Sequence, residues 1–260
     1  MKPLSAMRHA SRLRGLLFDI DDTLTTEGRL TAEAFGALER LNASGRLAIA
    51  VTGRPAGWCD HIARMWPVDA VVGENGAFYF RHAEGRLLKR YQDPEAESAA
   101  NRERLGAIAG RILQEVPGSA LSADQAYRET DLAIDYCEDV PRLSLEQAER
   151  IAALMREAGL NAKISSIHVN GWFGAYDKLA MAKTLLEEQF AVSQEAASME
   201  LAFAGDSPND APMFGYFANS IGVANIERFA GHLGTTPKYV TRRAAGAGFA
   251  ETVARLLGSA

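Results

Sequence analysis

Short apolar runs alternate along this chain with segments in which apolar residues recur at helical spacing. A short apolar run bounded by turn residues is typical of a strand that is buried on both faces of a parallel sheet. The runs that fit lie at residues 15–20, 47–51, 70–72 and 199–204, with shorter ones at 221–223 and 239–240. Because helical segments separate most of these runs, the pattern predicts an α/β fold with a doubly wound parallel sheet and right-handed crossovers.

The predicted helices have recognisable ends. Thr31 is a suitable N-cap for the helix that follows the first strand, and Gly45 ends that helix. Ser144 and Gln147 match the Ser-x-x-Gln pattern of a capping box, and Gly159 closes the far end of their helix. The other helices are predicted at residues 57–65, 102–116, 177–190 and 248–257.

The rhythm changes in the middle of the chain. Residues 77–80 and 86–91 are predicted to form a hairpin, and the polar stretch 93–101, which contains Pro94, is predicted to be a linker. Two helices and several short strands follow, the strands being predicted at 131–136, 161–164 and 166–173. We therefore expect an α+β domain inserted into the parallel domain, which divides the chain into residues 1–91, 92–171 and 172–260.

Composition limits the function classes. The chain has 260 residues, of which 47% are apolar, and this suffices for sizeable cores. Its formal net charge of −5 and its pI near 5.6 argue against a general nucleic-acid binder and against a protein that binds anionic membranes. No run approaches the ~18 apolar residues that a membrane span needs.

The cysteines and the first residues bear on location. Cys59 and Cys137 are too few for a disulfide framework, so a cytoplasmic protein is expected. Residues 1–14 are basic and lack the apolar segment of a secretory signal. We expect them to form a flexible leader.

Polar residues follow the predicted strands at the edge where an open α/β sheet binds ligands. Asp19, Asp21 and Asp22 come directly after the first strand. Carboxylates this close raise one another's pKa unless a cation lies among them, and oxygen ligands suit Mg²⁺. A solvated turn whose Asp residues cap the next helix is the alternative interpretation. The other strand ends carry Thr52, Asp206 and Asp210.

These motifs resemble those of the haloacid dehalogenase-like (HAD) hydrolase superfamily. The first motif of that family, Asp-x-Asp-x-Thr, is matched by residues 19–23, with Asp22 where the family usually has Gly. The second motif, a Thr or Ser after a second strand, is matched by Thr52, and the third, a Lys, by Lys178. The fourth, Gly-Asp-x-x-x-Asp, is matched by residues 205–210. Order and spacing agree over nearly the whole chain after residue 14.

The resemblance implies the HAD fold, in which a Rossmann-like sheet carries an inserted cap domain. The size of the insert, its two helices and the Asn75-Gly76-Ala77 segment resemble the C2B cap of the Cof-type (IIB) branch. Most such proteins are Mg²⁺-dependent phosphatases of small phosphorylated metabolites, often sugar phosphates. The chain is therefore expected to hydrolyse a phosphate monoester through an aspartyl-phosphate intermediate.

In that chemistry Asp19 is predicted to attack phosphorus, and Asp21 to protonate the leaving group and then activate water. Mg²⁺ is expected to be held by Asp19, by the backbone carbonyl of Asp21 and by Asp206, with Asp210 orienting these ligands. The predicted metal residues are therefore Asp19, Asp21, Asp206 and Asp210.

The predicted phosphate-binding residues are Thr52, Gly53, Arg54, Asn75, Lys178 and Asn209. Thr52 can cap the following helix and still bind phosphate, and Lys178 is alternatively a solvated helix lysine. For Arg54 and Asn75, contact with substrate and bracing of loops both stay open. One face of a predicted strand carries three further candidates: His168, Asn170 and Trp172. These side chains either face the substrate or pack between the domains, and for Trp172 packing is favoured.

Other functions stay open at this stage. A phosphomutase would use the same Asp19 and Asp21 but return the phosphoryl group to its substrate, and a non-catalytic protein would only bind a phosphorylated ligand. A signalling receiver domain is about half as long and needs no cap, and a P-type pump requires membrane spans. The expected partner is a small phosphorylated metabolite, with no nucleic acid and no membrane, and the expected assembly is a monomer or a homodimer.

Overall fold

The computed structural model describes residues 1–93 and 95–258, with the backbone alone for residues 95–100. Its strands are β1 (Lys2–Pro3), β2 (Gly15–Phe18), β3 (Leu47–Val51), β4 (Ala70–Gly73), β5 (Phe78–Ala83), β6 (Arg86–Tyr91), β7 (Ala120–Leu121), β8 (Asp131–Asp135), β9 (Asn161–Ile164), β10 (His168–Trp172), β11 (Leu201–Gly205), β12 (Asn219–Gly222) and β13 (Tyr239–Val240). Its α-helices are α1 (Ala32–Ala43), α2 (Ala56–Met65), α3 (Glu95–Glu115), α4 (Leu145–Glu157), α5 (Lys178–Phe190), α6 (Gln194–Glu200), α7 (Ala211–Tyr216) and α8 (Ala245–Leu257). Across the described residues, no helix is both long enough and apolar enough to cross a membrane.

The larger sheet has nine strands in the order β1-β13-β12-β11-β2-β3-β4-β5-β6. In this spatial order, all neighbouring strands from β1 through β13, β12, β11, β2 and β3 to β4 pair in parallel. The hairpin of β5 and β6 extends the sheet at one edge with antiparallel pairing. Helices α1, α2 and α8 pack over an apolar cluster on one face, and α5, α6 and α7 over a second cluster on the other. The predicted α/β fold with a doubly wound, Rossmann-like sheet is confirmed.

Strand β2 lies between β11 and β3 in the middle of this sheet, and all four of its residues are buried. Phe18 pairs with Ala204 of β11 and with Ala50 of β3. Parallel strands in register end at the same edge, so the residues that follow these three strands come together there.

The chain between β6 and α5 folds into an α+β cap domain. Its antiparallel sheet has the order β7-β8-β10-β9, and α3 and α4 pack against that sheet. The cap has its own apolar core, which includes Ile112, Ile134, Ile151 and Val169. The predicted kind of insert is confirmed, whereas its predicted limits, residues 92–171, stay a prediction.

Several predicted elements agree with the structure in detail. The strands predicted at 47–51, 161–164 and 239–240 have those limits. The Thr31 side chain accepts a hydrogen bond from the Ala34 N–H, and both bonds of the capping box of Ser144 and Gln147 form. The structure adds α6 and β7, which the apolar pattern does not mark because only Ala197 of α6 is buried.

The predicted linker at residues 93–101 is wrong over most of its length, because α3 begins at Glu95 and not near residue 102. Alanine and glutamate, which are good helix formers, dominate the first residues of this helix. Pro94 lies outside the described residues.

The expectation of a flexible leader at residues 1–14 is also wrong. β1 pairs with β13, and Leu4, Met7, Ala10 and Leu13 are buried in the apolar cluster that contains α8. The Arg255 side chain of α8 donates a hydrogen bond of 2.7 Å to the carbonyl of Met7. The buried residues recur every third position, a helical spacing that the basic residues between them obscured.

Glu74, which follows β4, connects the core to the cap. Its buried carboxylate accepts hydrogen bonds from the N–H groups of Ala56 (2.9 Å) and Glu129 (2.9 Å) and from both the N–H and the hydroxyl of Thr130. Burial and the charge of Asp131 raise the pKa of Glu74 to about 7, although nearby cationic and hydrogen-bonding groups act in the opposite direction.

Replacing Met7 with Ala should lower the free energy of unfolding by about 2–4 kcal/mol, because the substitution leaves a cavity in the core. Urea denaturation measures the change. Ser5→Ala, at an exposed position of the same segment, should stay within about 0.5 kcal/mol of wild type. Equal free energies of unfolding for Met7→Ala and wild type would support the prediction of a flexible leader and contradict the packing described above.

Glu74 should make stability depend on pH. Its pKa is about 7 in the folded protein and 4.5 ordinarily, so between these pH values the folded state holds a proton that the unfolded chain has lost. The free energy of unfolding of wild type should therefore fall, relative to that of Glu74→Gln, by up to about 3 kcal/mol between these two values and then level off. Urea denaturation at a series of pH values measures this, with the exposed Glu84→Gln as control. A difference independent of pH would contradict the assignment.

Candidate functional site

The chain turns sharply where β2 ends, and this turn presents the first two acids. The N–H of Asp19 still donates to Ala204 of β11, at 2.9 Å, and the carbonyl of Ile20 then accepts from three following N–H groups. Asp22 has a positive φ of 55°, which allows the reversal. As a result Asp19 and Asp21 line the same small pocket.

β11 ends in the fourth motif. A Cβ on Gly205 would lie 2.4 Å from Oδ2 of Asp210, so a glycine is required for this carboxylate to approach the strand. The same oxygen accepts hydrogen bonds from the N–H groups of Asp206 (3.1 Å) and Ser207 (3.4 Å). The backbone turn therefore fixes Asp210 beside Asp206.

Lys178 is the first residue of α5, whose N-cap is Asp177. Its side chain is buried, and its Nζ donates to Oδ1 of Asp19 at 2.7 Å and to Oδ1 of Asp210 at 2.8 Å. Gly76, with a φ of 107°, lets the loop after β4 approach the start of α5, because a Cβ there would lie 2.1 Å from the Asp177 carbonyl. The alternative of a solvated lysine is excluded.

Asp19, Asp206 and Asp210 form a buried acidic cluster in which one oxygen of each lies within 4.8 Å of the others. Burial, opposed by Lys178 and reinforced by Asp210 and Asp21, raises the pKa of Asp19 to about 8. Burial and the charge of Asp19 likewise raise the pKa of Asp206 well above its usual range. Crowded carboxylate oxygens with such raised pKa values fit a hard divalent cation such as Mg²⁺.

The carboxylate of Asp21 is not part of this acidic cluster, since it pairs with Arg54. Its backbone carbonyl accepts a hydrogen bond from the Ser166 hydroxyl of the cap at 3.4 Å. The expected contact of that carbonyl with a metal stays a prediction.

Arg228 and Asn225, which the sequence reasoning missed, contact the far side of Asp206. Oδ2 of Asp206 accepts from Arg228 Nη2 at 2.9 Å and from Asn225 Nδ2 at 3.1 Å. Arg228 also pairs with Asp22 at 2.9 Å, so the acid that replaces the family's usual Gly has a cationic partner. Both residues follow β12 at the same sheet edge, and that position is the signal that could have found them.

The predicted phosphate-binding residues other than Arg54 and Lys178 lie around the ends of β3, β4 and β11. Oγ1 of Thr52 accepts from the N–H of Arg54 at 3.0 Å, and Nδ2 of Asn209 donates to Oδ1 of Asn75 at 3.3 Å. Nδ2 of Asn75 is the only buried side-chain polar atom of the described residues without a hydrogen-bond partner. The Gly53 carbonyl accepts from Arg128 of the cap at 2.8 Å.

Arg54 lies where core and cap meet. Its buried guanidinium pairs with Asp21 of the core at 2.8 Å and with two acids of the cap, Asp124 at 3.2 Å and Glu138 at 2.5 Å. The Trp58 ring lies against it, 4.3 Å from the ring centroid to Cζ. Contact of Arg54 with phosphate stays a prediction.

The candidates on β10 have separate environments. Nε2 of His168 lies 2.9 Å from Oε2 of Glu138 and is buried beside the small pocket. Nδ2 of Asn170, which also lines that pocket, donates to Asp131 at 2.9 Å. Trp172 is buried in the core cluster and stacks on Tyr176, which agrees with the packing interpretation.

Two cavities adjoin the turn after β2. The small pocket, of about 10 Å³, lies next to Asp19 and Asp21 and has room for about one water molecule. A larger cavity of about 530 Å³ lies between the turn and the cap, and its cap lining includes Glu138 and Arg142. Asp21, Arg54 and Ile167 line both, so they form the wall between the two. The small pocket as it stands has no room for a phosphate group.

Comparisons with known proteins agree with this architecture. Residues 16–100 match the family model described as haloacid dehalogenase-like hydrolase. No curated protein sequence matches the chain.

Three similar solved structures cover nearly the whole chain. The C-terminal domain of trehalose-6-phosphate phosphatase from C. albicans has a TM-score of 0.74 at 15% identity and covers 100% of both chains. A putative HAD/COF-like hydrolase from Plasmodium vivax has a TM-score of 0.67 at 16% identity, covering 95% of this chain and 96% of that chain. The sucrose-phosphatase from Synechocystis sp. PCC6803 has a TM-score of 0.62 at 15% identity, covering 94% and 98%. Residues 16–100 thus carry the match to the haloacid dehalogenase-like hydrolases, and the chain as a whole has a capped fold similar to that of the HAD/COF-like hydrolase, as its motifs predicted.

Proposed function

We propose that this protein is a Mg²⁺-dependent phosphatase that hydrolyses a small phosphorylated metabolite, a sugar phosphate or a related monoester, through an aspartyl-phosphate on Asp19. The observation that carries the proposal is the buried amine of Lys178, which bridges Asp19 and Asp210 beside Asp206. A nucleophile, a cation-binding set of oxygens and a fixed positive charge thus share one sheet edge.

Asp19 is the nucleophile in this proposal. Lys178 holds its Oδ1, and among the described residues no donor contacts its Oδ2. Oδ2 forms the new bond to phosphorus while the bond from phosphorus to the ester oxygen breaks. The positive charge of Lys178 favours the ionised carboxylate that this attack requires.

Asp21 is the acid and base. It lines the same small pocket as Asp19 and gives its proton to the leaving oxygen as the ester bond breaks. It then takes a proton from the water that attacks phosphorus, and the bond from phosphorus to Asp19 breaks. Inorganic phosphate leaves, and both acids return to their starting states.

The residues that would hold Mg²⁺ are Asp19 and Asp206, with the backbone carbonyl of Asp21 and with Asp210 orienting the set. A cation bound there would supply positive charge against the combined negative charge of substrate and nucleophile. The three clustered carboxylates fit this role because two of them have pKa values raised by burial and mutual charge.

Phosphate oxygens have several donors in reach of the strand ends. Lys178 and the Thr52 hydroxyl are the proposed main ones, with Gly53 and Asn209 beside them. The partnerless Nδ2 of Asn75 is a further donor, because a buried donor without a hydrogen bond is costly and a phosphate oxygen would satisfy it.

The leaving group is proposed to occupy the cavity of about 530 Å³ between the turn and the cap. That volume is within the range of small-molecule sites. Two of the similar folds belong to a trehalose-6-phosphate phosphatase and a sucrose-phosphatase, and on this analogy a sugar phosphate is the proposed class. We also propose a cytoplasmic location and a monomer or homodimer.

A phosphomutase with the same nucleophile is the second candidate, since Asp19 and Asp21 would serve both reactions. Release of inorganic phosphate from a monoester without an added bisphosphate separates the two. A protein that only binds a phosphorylated ligand would release none.

Replacing Asp19 with Asn should abolish phosphate release, by at least about 10³-fold, because the amide cannot form the phosphoryl-enzyme. A phosphate-release assay over sugar phosphates and p-nitrophenyl phosphate measures this. The control is Asp60→Asn, the same change in a surface ion pair with Arg64, which should keep wild-type activity. A near-normal kcat in Asp19→Asn would contradict the proposal that Asp19 is the nucleophile.

Chelation by EDTA should stop phosphate release, and excess Mg²⁺ should restore it. Without any substrate, Mg²⁺ at 100 times its Kd should stabilise the protein by about 2.7 kcal/mol, which thermal unfolding detects. Asp206→Asn should lose this stabilisation, whereas Asp60→Asn should keep it. Activity that survives chelation would contradict the metal assignment.

A further inference from the structure

We infer that Arg54 is a positioning residue that holds Asp21 as the base for the hydrolytic water, and that Glu138 of the cap locks Arg54 in place. This inference rests on the proposed phosphatase function. It assigns Arg54 to the second half of the reaction, in which water releases phosphate from Asp19, and not to the binding of substrate phosphate.

Every nitrogen of the Arg54 guanidinium is already engaged. Nε lies 3.0 Å from both oxygens of Asp21, and Nη2 lies 2.8 Å from Oδ1 of the same carboxylate. Nη1 donates to Asp124 at 3.2 Å and to Glu138 at 3.3 Å. With 3% of Arg54 exposed, no donor is left over for a phosphate oxygen.

The pairing with Arg54 imposes a fixed geometry on the carboxylate of Asp21. A forked guanidinium fixes the plane of a carboxylate, which a point charge on a flexible stem cannot do. Asp21 is thus held as a base at the wall of the small pocket it shares with Asp19.

The cap completes the arrangement around Arg54. Glu138 reaches Nη2 at 2.5 Å, and its other oxygen lies 2.9 Å from Nε2 of His168. Burial disfavours its ionisation, but hydrogen bonds from His168 and Arg54 hold the pKa of Glu138 at about 2, so it stays a carboxylate.

Loss of this positioning has a kinetic signature. Departure of p-nitrophenolate needs little protonation, so with p-nitrophenyl phosphate a misplaced Asp21 slows chiefly the attack of water on the phosphoryl-enzyme. A slower second step lowers kcat and KM together and leaves kcat/KM unchanged. It also makes the first turnover visible as a burst of p-nitrophenol.

The test uses the full-length enzyme with p-nitrophenyl phosphate and Mg²⁺. Arg54→Lys should lower kcat about 10²-fold, within the usual contribution of a general base, with kcat/KM within about threefold of wild type and a burst equal to the enzyme concentration. Glu138→Gln should lower kcat about tenfold, with the same behaviour of kcat/KM and the same burst. The matched control is Arg64→Lys on the exposed face of α2, which should change nothing.

Inorganic phosphate as a competitive inhibitor gives the second readout. Its inhibition constant should stay within about threefold of wild type in Arg54→Lys, because the guanidinium does not bind phosphate. A loss of kcat/KM parallel to that of kcat, without a burst, or a weakened inhibition by phosphate, would overturn the inference and leave the phosphatase standing. A wild-type enzyme that releases no phosphate would overturn both.

Discussion

The site depends on one buried ion-paired lysine. Lys178 is the only cation within hydrogen-bond distance of both Asp19 and Asp210 among the described residues, and all three side chains are buried. Removing one partner of a buried ion pair costs about 3–5 kcal/mol, because the remaining charge keeps its desolvation penalty. The surrounding backbone serves this contact: Gly76 admits the start of α5, and Gly205 admits the carboxylate of Asp210.

On the other side of Asp21, buried ion pairs connect the core to the cap. Arg54 pairs with acids from both domains, and Arg128 joins two cap acids to the Gly53 carbonyl of the core. In the opposite sense, the carboxylate of Glu74 in the core accepts hydrogen bonds from N–H groups of the cap. The contact between core and cap is therefore made largely by buried ion pairs, whose net contribution to stability is small.

The sequence predicted the residues whose position is fixed locally. Asp19, Asp206 and Lys178 stand at the ends of a strand or at a helix start, so topology alone brings them together. Glu138 could not be found in this way, because it lies in the cap and its partners Arg54 and His168 reach it only through the packing of the cap on the core. The buried N-terminal segment was missed for a related reason: its basic residues suggested solvent, and only its apolar spacing indicated burial.

Burial at the sheet edge has two opposed effects on Asp19. It raises the pKa of this carboxyl to about 8, which disfavours the nucleophilic form, and it strengthens every charge interaction that the ionised form makes. The first effect prevails while negative charge is in excess in the acidic cluster. A divalent cation bound among these carboxylates, as proposed, would reverse the balance, because its positive charge would favour the ionised form of Asp19. In the proposed reaction, the enclosure that makes Asp19 a weak nucleophile on its own would therefore also make it effective with the cation bound.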